Sequence, residues 1–324
     1  MLKSVILFAV GLVLLIKGGD WFVDGATGIA KRFRLPDIVV GATVVSIGTT
    51  LPEVMVSTTG ALVGSGAMAY GNAIGSIICN TALIAAISIA VNPGPVNFKS
   101  MKTPVIFFFC SAAIYCLAAY GLGTFPRWLG IIMLTVFVVY TVLTVRNGLK
   151  NPDVGGAEEE GEKIERALWQ ELVLLVVGAA VIAVGANLLV EHGQIIAIGL
   201  GVPATVVALL FVALGTSLPE LITTITSLKK GRASLGIGNV IGANVFNLVL
   251  VSGLAVTLAP FDVPAENKLL DTGLELSLVV DIPVMLGVMA LMCVPALTSR
   301  KLSRWQGIVL LGIYAAFCVL QFIL

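Results

Sequence analysis

Gly48-Thr49-Thr50-Leu51-Pro52-Glu53 returns 167 residues later as Gly215-Thr216-Ser217-Leu218-Pro219-Glu220, and this duplication decides how the chain folds. Gly71-Asn72-Ala73-Ile74-Gly75 and Asn80 return at the same offset as Gly238-Asn239-Val240-Ile241-Gly242 and Asn247. Leu35-Pro36 against Val202-Pro203 keeps that offset, while Arg127-Trp128-Leu129-Gly130 answers Arg304-Trp305-Gln306-Gly307 at a slightly longer one. The longest polar break, 147–167, holds Asn151, Pro152 and the run Glu158, Glu159, Glu160. It divides the chain into a first repeat (1–146), a linker (147–167) and a second repeat (168–324), each with about five apolar spans. An odd number of crossings sends the second copy into the bilayer from the opposite side. Equivalent residues are then related by a pseudo-twofold axis in the membrane plane, an arrangement typical of transporters.

Composition agrees with lipid as the solvent. Of 324 residues 58% are hydrophobic and only 11% charged, against roughly 25% charged in a soluble domain. With 19 basic and 18 acidic residues, no charged field exists to recruit nucleic acid, and a soluble enzyme or a disordered scaffold is excluded. Continuous apolar runs, without the alternation of a β-barrel, predict an all-α polytopic membrane protein of about ten transmembrane helices in two inverted five-helix repeats. The first span is predicted at 2–23 and the sixth at 168–190. No small-residue cleavage site follows the first run, which is read as a retained span.

Fifteen lysines and arginines fall in alternate loops, among them Lys31, Arg32, Arg34, Lys99, Lys230, Arg232, Arg300 and Lys301, against Lys3, Arg127 and Lys268 on the other side. This bias places the basic loops in the cytoplasm and both termini outside the cell or in the periplasm, in a multi-pass protein of the cell membrane. Cys79, Cys110, Cys116, Cys293 and Cys318 lie in apolar runs without a CxxC pair and read as small buried hydrophobes. The lone His192 reads as an interface residue at a span end. Asp281 precedes a proline-started helix and reads as an outer-interface residue.

Glu53 and Glu220 remain as carboxylates deep in apolar spans, each costing at least about 2.5–3.5 kcal/mol at a bilayer centre, with no basic residue nearby to pair them. A bound cation is the partner left, unless the groups stay protonated. Pro52 and Pro219 lack an N–H and free the carbonyls of Gly48 and Gly215. Thr49, Thr50, Thr216 and Ser217 add hydroxyls, and Asn72, Asn80, Asn239, Asn244 and Asn247 add amide oxygens. These are hard oxygen ligands suited to Ca²⁺ and alkali ions.

The paired G-T-[TS]-L-P-E and G-N-x-I-G motifs resemble the repeats of the sodium/calcium exchangers of the calcium/cation antiporter superfamily, in its compact prokaryotic form, over nearly the whole chain. The resemblance implies an electrogenic secondary antiporter exchanging Na⁺ for Ca²⁺ by alternating access, while the uncharged amides of Asn80 and Asn247 predict independence from K⁺. It implies that Glu53 and Glu220 share calcium, completed by the carbonyls of Thr49 and Thr216. Ser46, Thr50, Ser76, Asn80, Ala213, Ser217 and Asn247 would line sodium sites. One departure is Ala243, where the family carries serine. Na⁺ and Ca²⁺ would be transported ions, with no enzyme activity and no cofactor. The partners are those ions and the lipid bilayer, not nucleic acid, and a monomer is compatible with the repeat. A Ca²⁺/H⁺ antiporter on the same fold is the alternative, followed by a potassium-coupled exchanger. A cation channel is disfavoured by the built-in duplication, and an intramembrane hydrolase by the lack of its motifs.

Overall fold

The computed structural model describes residues 2–150, 166–200, 215–264, 275 and 277–323. It is helical throughout: α1 (Leu2–Phe33), α2 (Asp37–Thr49), α3 (Leu51–Leu62), α4 (Gly66–Val91), α5 (Lys99–Leu122), α6 (Arg127–Lys150), α7 (Leu168–Gly199), α8 (Leu218–Lys229), α9 (Ala233–Leu258), α10 (Ser277–Ser299) and α11 (Arg304–Gln321). Helices α2 and α3 form one span bent by 47°. By length and apolar character, eight of the described helices, and the bent α2–α3 pair as a ninth, could each cross a membrane. The linker run Glu158 to Glu160, Ala213, Lys268 and Val202-Pro203 lie outside the described residues.

Helices α3 and α8 end in the same way in the two repeats. Gly64 and Gly231, 167 residues apart, both take positive φ (+83° and +71°), a conformation glycine adopts without strain. Each closes its helix by the same pair of bonds: Ser65 N–H to Gly60 C=O and Gly64 N–H to Ala61 C=O after α3, and Arg232 N–H to Ser227 C=O and Gly231 N–H to Leu228 C=O after α8.

Four short strands show the inverted symmetry. Strand β1 (Gly94–Pro95) pairs antiparallel with β4 (Lys301–Leu302), and β2 (Thr124–Phe125) pairs with β3 (Phe261–Asp262). The repeat offsets carry β1 onto β3 and β2 onto β4, so one pair maps onto the other at the opposite face. The basic loops also meet. Lys230 bonds Asp24 at 2.7 Å, Arg232 bonds Asp37 at 3.2 Å, and Arg32 donates to the carbonyl of Arg166 at 2.6 Å. The positively charged segments therefore share one face, as their alternation in the sequence predicts.

Helices α4 and α9 run through the middle of the bundle and are its most buried members, largely apolar but carrying the asparagines and serines described below. The core around them joins Ile77, Ile78 and Phe108 to Val240, Phe246 and Met289. Helices α1 and α7 pack antiparallel along their length with a second cluster of Leu15, Phe22, Val23, Ile182 and Ala186. Glycines set that approach: a methyl on Gly18 would stand 2.8 Å from the Ile182 nitrogen, and one on Gly178 2.6 Å from the Phe22 nitrogen.

Some sequence expectations need correction. Helices α1 and α7 run 32 residues each, about 48 Å at 1.5 Å per residue, well beyond the predicted spans. His192 accordingly lies inside α7 and is buried, not at a span end. Cys79 and Cys293 are buried, but Cys110 is exposed on the bundle's outer surface. Asp281, by contrast, directly precedes the proline-started stretch Ile282–Ser299 of α10 as read from the sequence, and it accepts a 2.8 Å hydrogen bond from Gln321 Nε2.

Candidate cation site

The bend between α2 and α3 falls at Thr50 (φ −83°, ψ −2°), and Ser217, its repeat equivalent, has φ −88° and ψ 4° before α8. Each following helix starts with proline in its first turn, where the missing N–H costs nothing. Glu53 and Glu220 then occupy the first turns of α3 and α8, where the helix dipole favours negative charge.

Both glutamates are wholly buried, and their four carboxylate oxygens have no hydrogen-bond partner among the described residues. They lie close enough for their charges to repel, and the Glu220 carboxylate is within electrostatic reach of the Thr49 and Thr50 hydroxyls. Two unpaired buried anions side by side are costly unless a cation lies between them. Among the described residues no three His, Cys, Asp or Glu side chains gather as metal ligands. A cation between the two glutamates would complete its shell with hydroxyl, amide and carbonyl oxygens.

The surrounding residues divide into those that are free to face an ion and those that hold the frame. Thr50 Oγ1, Ser217 Oγ, Asn80 Oδ1 and both side-chain polar atoms of Asn247 are buried without a partner among the described residues. Ser76 is buried on the same helix as Asn80, one turn earlier. Thr49 and Thr216 behave differently. The Thr49 hydroxyl donates to Asn239 Oδ1 at 3.1 Å, and the Thr216 hydroxyl donates to Asn72 Oδ1 at 3.3 Å. Each asparagine belongs to the opposite repeat from its threonine. Asn72 and Asn239, read in the sequence as sources of ligand oxygen, instead act as struts between repeats. Asn72 Nδ2 also reaches the Glu53 carbonyl at 3.2 Å and Ser57 Oγ at 2.8 Å. Ser46 is brought to the same strut, donating to the Gly41 carbonyl at 2.8 Å and the Asn239 carbonyl at 3.0 Å.

Two features have no counterpart in the sequence reading. Asn80 and Asn247 each open a π-helical turn, Asn80–Ala85 and Asn247–Val251, which widens the helix at the same repeat position. The pair is nevertheless unequal, because Asn80 Nδ2 donates to Asn244 Oδ1 at 3.2 Å, and the repeat equivalent of Asn244 is Ile77. Outside the site, α1 and α7 press on the motif glycines: a methyl on Gly48 would meet Phe22 Cζ at 2.9 Å, and one on Gly215 would meet Val190 Cγ2 at 3.0 Å. The two longest helices thus touch the chain just before Thr49 and Thr216.

Comparison with known proteins agrees with this geometry. The family model described as sodium/calcium exchanger protein matches residues 3–146 and 171–323. An uncharacterised membrane protein of Methanocaldococcus jannaschii is 33% identical over 95% of this chain and 94% of its own length. The sodium/calcium exchanger MaX1 of Methanosarcina acetivorans is 29% identical over 98% of both chains. A solved structure of the sodium-calcium exchanger NCX_Mj, soaked with Na⁺ and Sr²⁺, superposes with a TM-score of 0.80 at 30% identity and 97% coverage of each chain.

Proposed function

The chain belongs to the sodium/calcium exchanger protein family, and from that membership we propose that it is a Na⁺/Ca²⁺ antiporter working by alternating access. The observation that carries the reading is the pair of buried glutamates, equivalent in the two repeats, with four carboxylate oxygens that find no partner among the described residues. Two carboxylates supply about −2. One Ca²⁺ neutralises that charge, two Na⁺ do the same, and a third Na⁺ leaves the loaded site near +1. Either loaded state crosses apolar surroundings at far lower cost than the bare pair, so an empty site resists occlusion and exchange is obligatory.

In this reading Glu53 and Glu220 bind Ca²⁺ with the carbonyls of Thr49 and Thr216, whose side chains the cross-repeat asparagines hold still. Thr50, Ser217, Ser76, Asn80 and Asn247 serve Na⁺, together with Ser46 and Ala213. The α1–α7 pair moves against the rest and bears on Gly48 and Gly215, so that the site opens to one side at a time. The basic face is cytoplasmic and both termini are external. With three Na⁺ per Ca²⁺ each cycle moves one charge, worth about 2.3 kcal/mol per 100 mV. The amides at positions 80 and 247 add no formal charge, which favours independence from K⁺. Both glutamates come from one chain, so a monomer suffices as the transport unit.

Sodium-driven ⁴⁵Ca²⁺ uptake into proteoliposomes, with pH gradients collapsed by an ionophore, tests the reading. Uptake that follows the Na⁺ gradient supports it. Uptake that follows only an imposed pH gradient assigns the site to Ca²⁺/H⁺ exchange, with the glutamates cycling through protonation.

A further inference from the structure

Below Glu220, on the half of α8 that runs to the basic face, Thr223, Thr224 and Ser227 follow at helical spacings of three, four and seven residues. They therefore share one side of the helix with the glutamate. All three are buried, and their hydroxyls have no partner among the described residues. The opposite side of α8 carries Ile222 and Thr226, which pack on Gly19 of α1. The hydroxyl side faces α9, where Gly236 lies against Thr224, and the second half of α4. Residues Asn80–Val91 of that half carry Ser88, which lines a cavity of about 290 Å³ opening on the basic face. Ile38 and Ile237 line the same cavity, with Asn92 and Ser234 exposed beside them. Hydroxyls thus line α8 below Glu220, and the cavity on the basic face begins at Gly231, just past the end of that helix.

The pseudo-symmetric seam on the other face is of a different kind. There Thr223, Ser227, Ser88, Asn92 and Ser234 are replaced by Val56, Gly60, Ala255, Ala259 and Ala67. Thr224 is matched by Ser57, whose oxygen accepts from Asn72 Nδ2 at 2.8 Å. Ala61, Ala69 and Ala255 form a dry cluster with Ala259 and Phe261. Helix α3 also packs closely along residues 247–258, whereas α8 touches residues 80–91 only lightly. Duplication has produced two seams of one geometry, and one has become hydroxyl-lined and loosely packed.

We propose that the seam between α8, α4 and α9 is the cytoplasmic ion route, with the hydroxyls of Thr223, Thr224, Ser227 and Ser88 relaying a partly dehydrated cation between Glu220 and the cavity. The inference rests on the exchanger reading and adds the path by which that site meets the cytoplasm. Hydroxyls suit the task because they supply oxygen without formal charge, so a cation is passed along and not trapped.

The test begins with a variant in which all five cysteines are replaced and Na⁺-driven ⁴⁵Ca²⁺ exchange is measured. If neither this variant nor the native chain exchanges, the exchanger reading fails before the route is at issue. In the active background, Ser227→Cys and Ser88→Cys are treated with a charged, membrane-impermeant thiol reagent from either side of oriented proteoliposomes. We expect exchange to be blocked when the reagent acts from the basic face, with Ala61→Cys unaffected from that face. A second variant, Thr223→Val with Ser227→Ala, removes hydroxyls with little change of volume and should slow exchange about tenfold while Ca²⁺ still protects the fold against heating. Thiols that stay unmodified from the basic face in Na⁺, Ca²⁺ and ion-free buffers, or a double variant exchanging at the native rate, overturn the route while leaving the exchanger intact.

Discussion

Replacing Asn239 by Leu tests whether a strut from one repeat sets the calcium affinity of the other. Leucine keeps the branched outline of asparagine, so the change removes the amide and opens no cavity, although its two methyls are bulkier than the amide oxygen and nitrogen at a fully buried position. Asn239 Oδ1 accepts from Thr49 Oγ1 at 3.1 Å and from Ser46 Oγ at 3.2 Å. Ser46 keeps its bonds to the Gly41 and Asn239 carbonyls, at 2.8 and 3.0 Å, and stays satisfied. Thr49, 2% exposed, loses its acceptor. A buried hydroxyl left unpaired costs about 1–3 kcal/mol, which favours backbone and rotamer positions that move the Thr49 carbonyl away from the site. If about 1.4 kcal/mol of that is expressed in binding, the Ca²⁺ concentration for half-maximal exchange rises tenfold. The assay is ⁴⁵Ca²⁺ uptake as a function of Ca²⁺, with folding checked by size-exclusion chromatography. Thr49→Val supplies the control, because with the donor already gone Asn239→Leu should have little further effect through this bond, leaving a coupling of about 0.5–1.5 kcal/mol in the double-mutant cycle. A folded Asn239→Leu protein with Ca²⁺ affinity within twofold of native refutes the strut.

Glu53→Gln or Glu220→Gln halves the site charge and should nearly abolish Ca²⁺ binding and exchange while a folded membrane protein is still recovered; substantial exchange in both single variants would sink the site. A Na⁺ gradient across Ca²⁺-loaded proteoliposomes should generate a membrane potential and persist when K⁺ is replaced by choline, whereas a strictly electroneutral cycle would mean two Na⁺ per Ca²⁺. That stoichiometry would point to Ala243, and Ala243→Ser should then raise Na⁺ affinity. Gly18→Ala places a methyl 2.8 Å from the Ile182 nitrogen and 3.0 Å from the Gly178 carbonyl, so α1 and α7 must separate at a cost of about 1–3 kcal/mol. Its thermal stability in detergent should fall, and a native melting temperature would show that the helices can part freely.

Much of this was legible because a duplicated sequence can be compared with itself. The offset between Glu53 and Glu220 located the breaks, paired the carboxylates and predicted a fold of opposed halves. What stayed hidden was pairing at a distance. The Thr49–Asn239 bond spans 190 residues, and no local pattern distinguishes an asparagine that holds a threonine from one that faces an ion. Asn244 was visible as an amide, but its grip on Asn80 depends on how α4 and α9 meet. The π turns at Asn80 and Asn247 carry no sequence signal, being set by packing in the centre of the bundle. Helix α7 ran past its predicted end because Glu191 and His192 look like a polar boundary, yet His192 turns inward while Glu191 stays exposed. The row Thr223, Thr224, Ser227 is written in the sequence as well, at helical spacings of three, four and seven from Glu220.

The exchanged strand pairs govern when the molecule can finish assembling. Gly94 waits for Leu302 and Thr124 for Asp262, partners 208 and 138 residues further along the chain. A ribosome that has delivered the whole first half to the membrane has therefore produced neither clasp, and the loops bearing β1 and β2 stand open on opposite faces. They close on segments that reach those faces only when the second half is inserted in the reverse sense. Such long-range closure is slow compared with helix formation. Registry between the halves is accordingly a late event of biogenesis, and an insertion error that put the second half in upright would leave all four strands without mates.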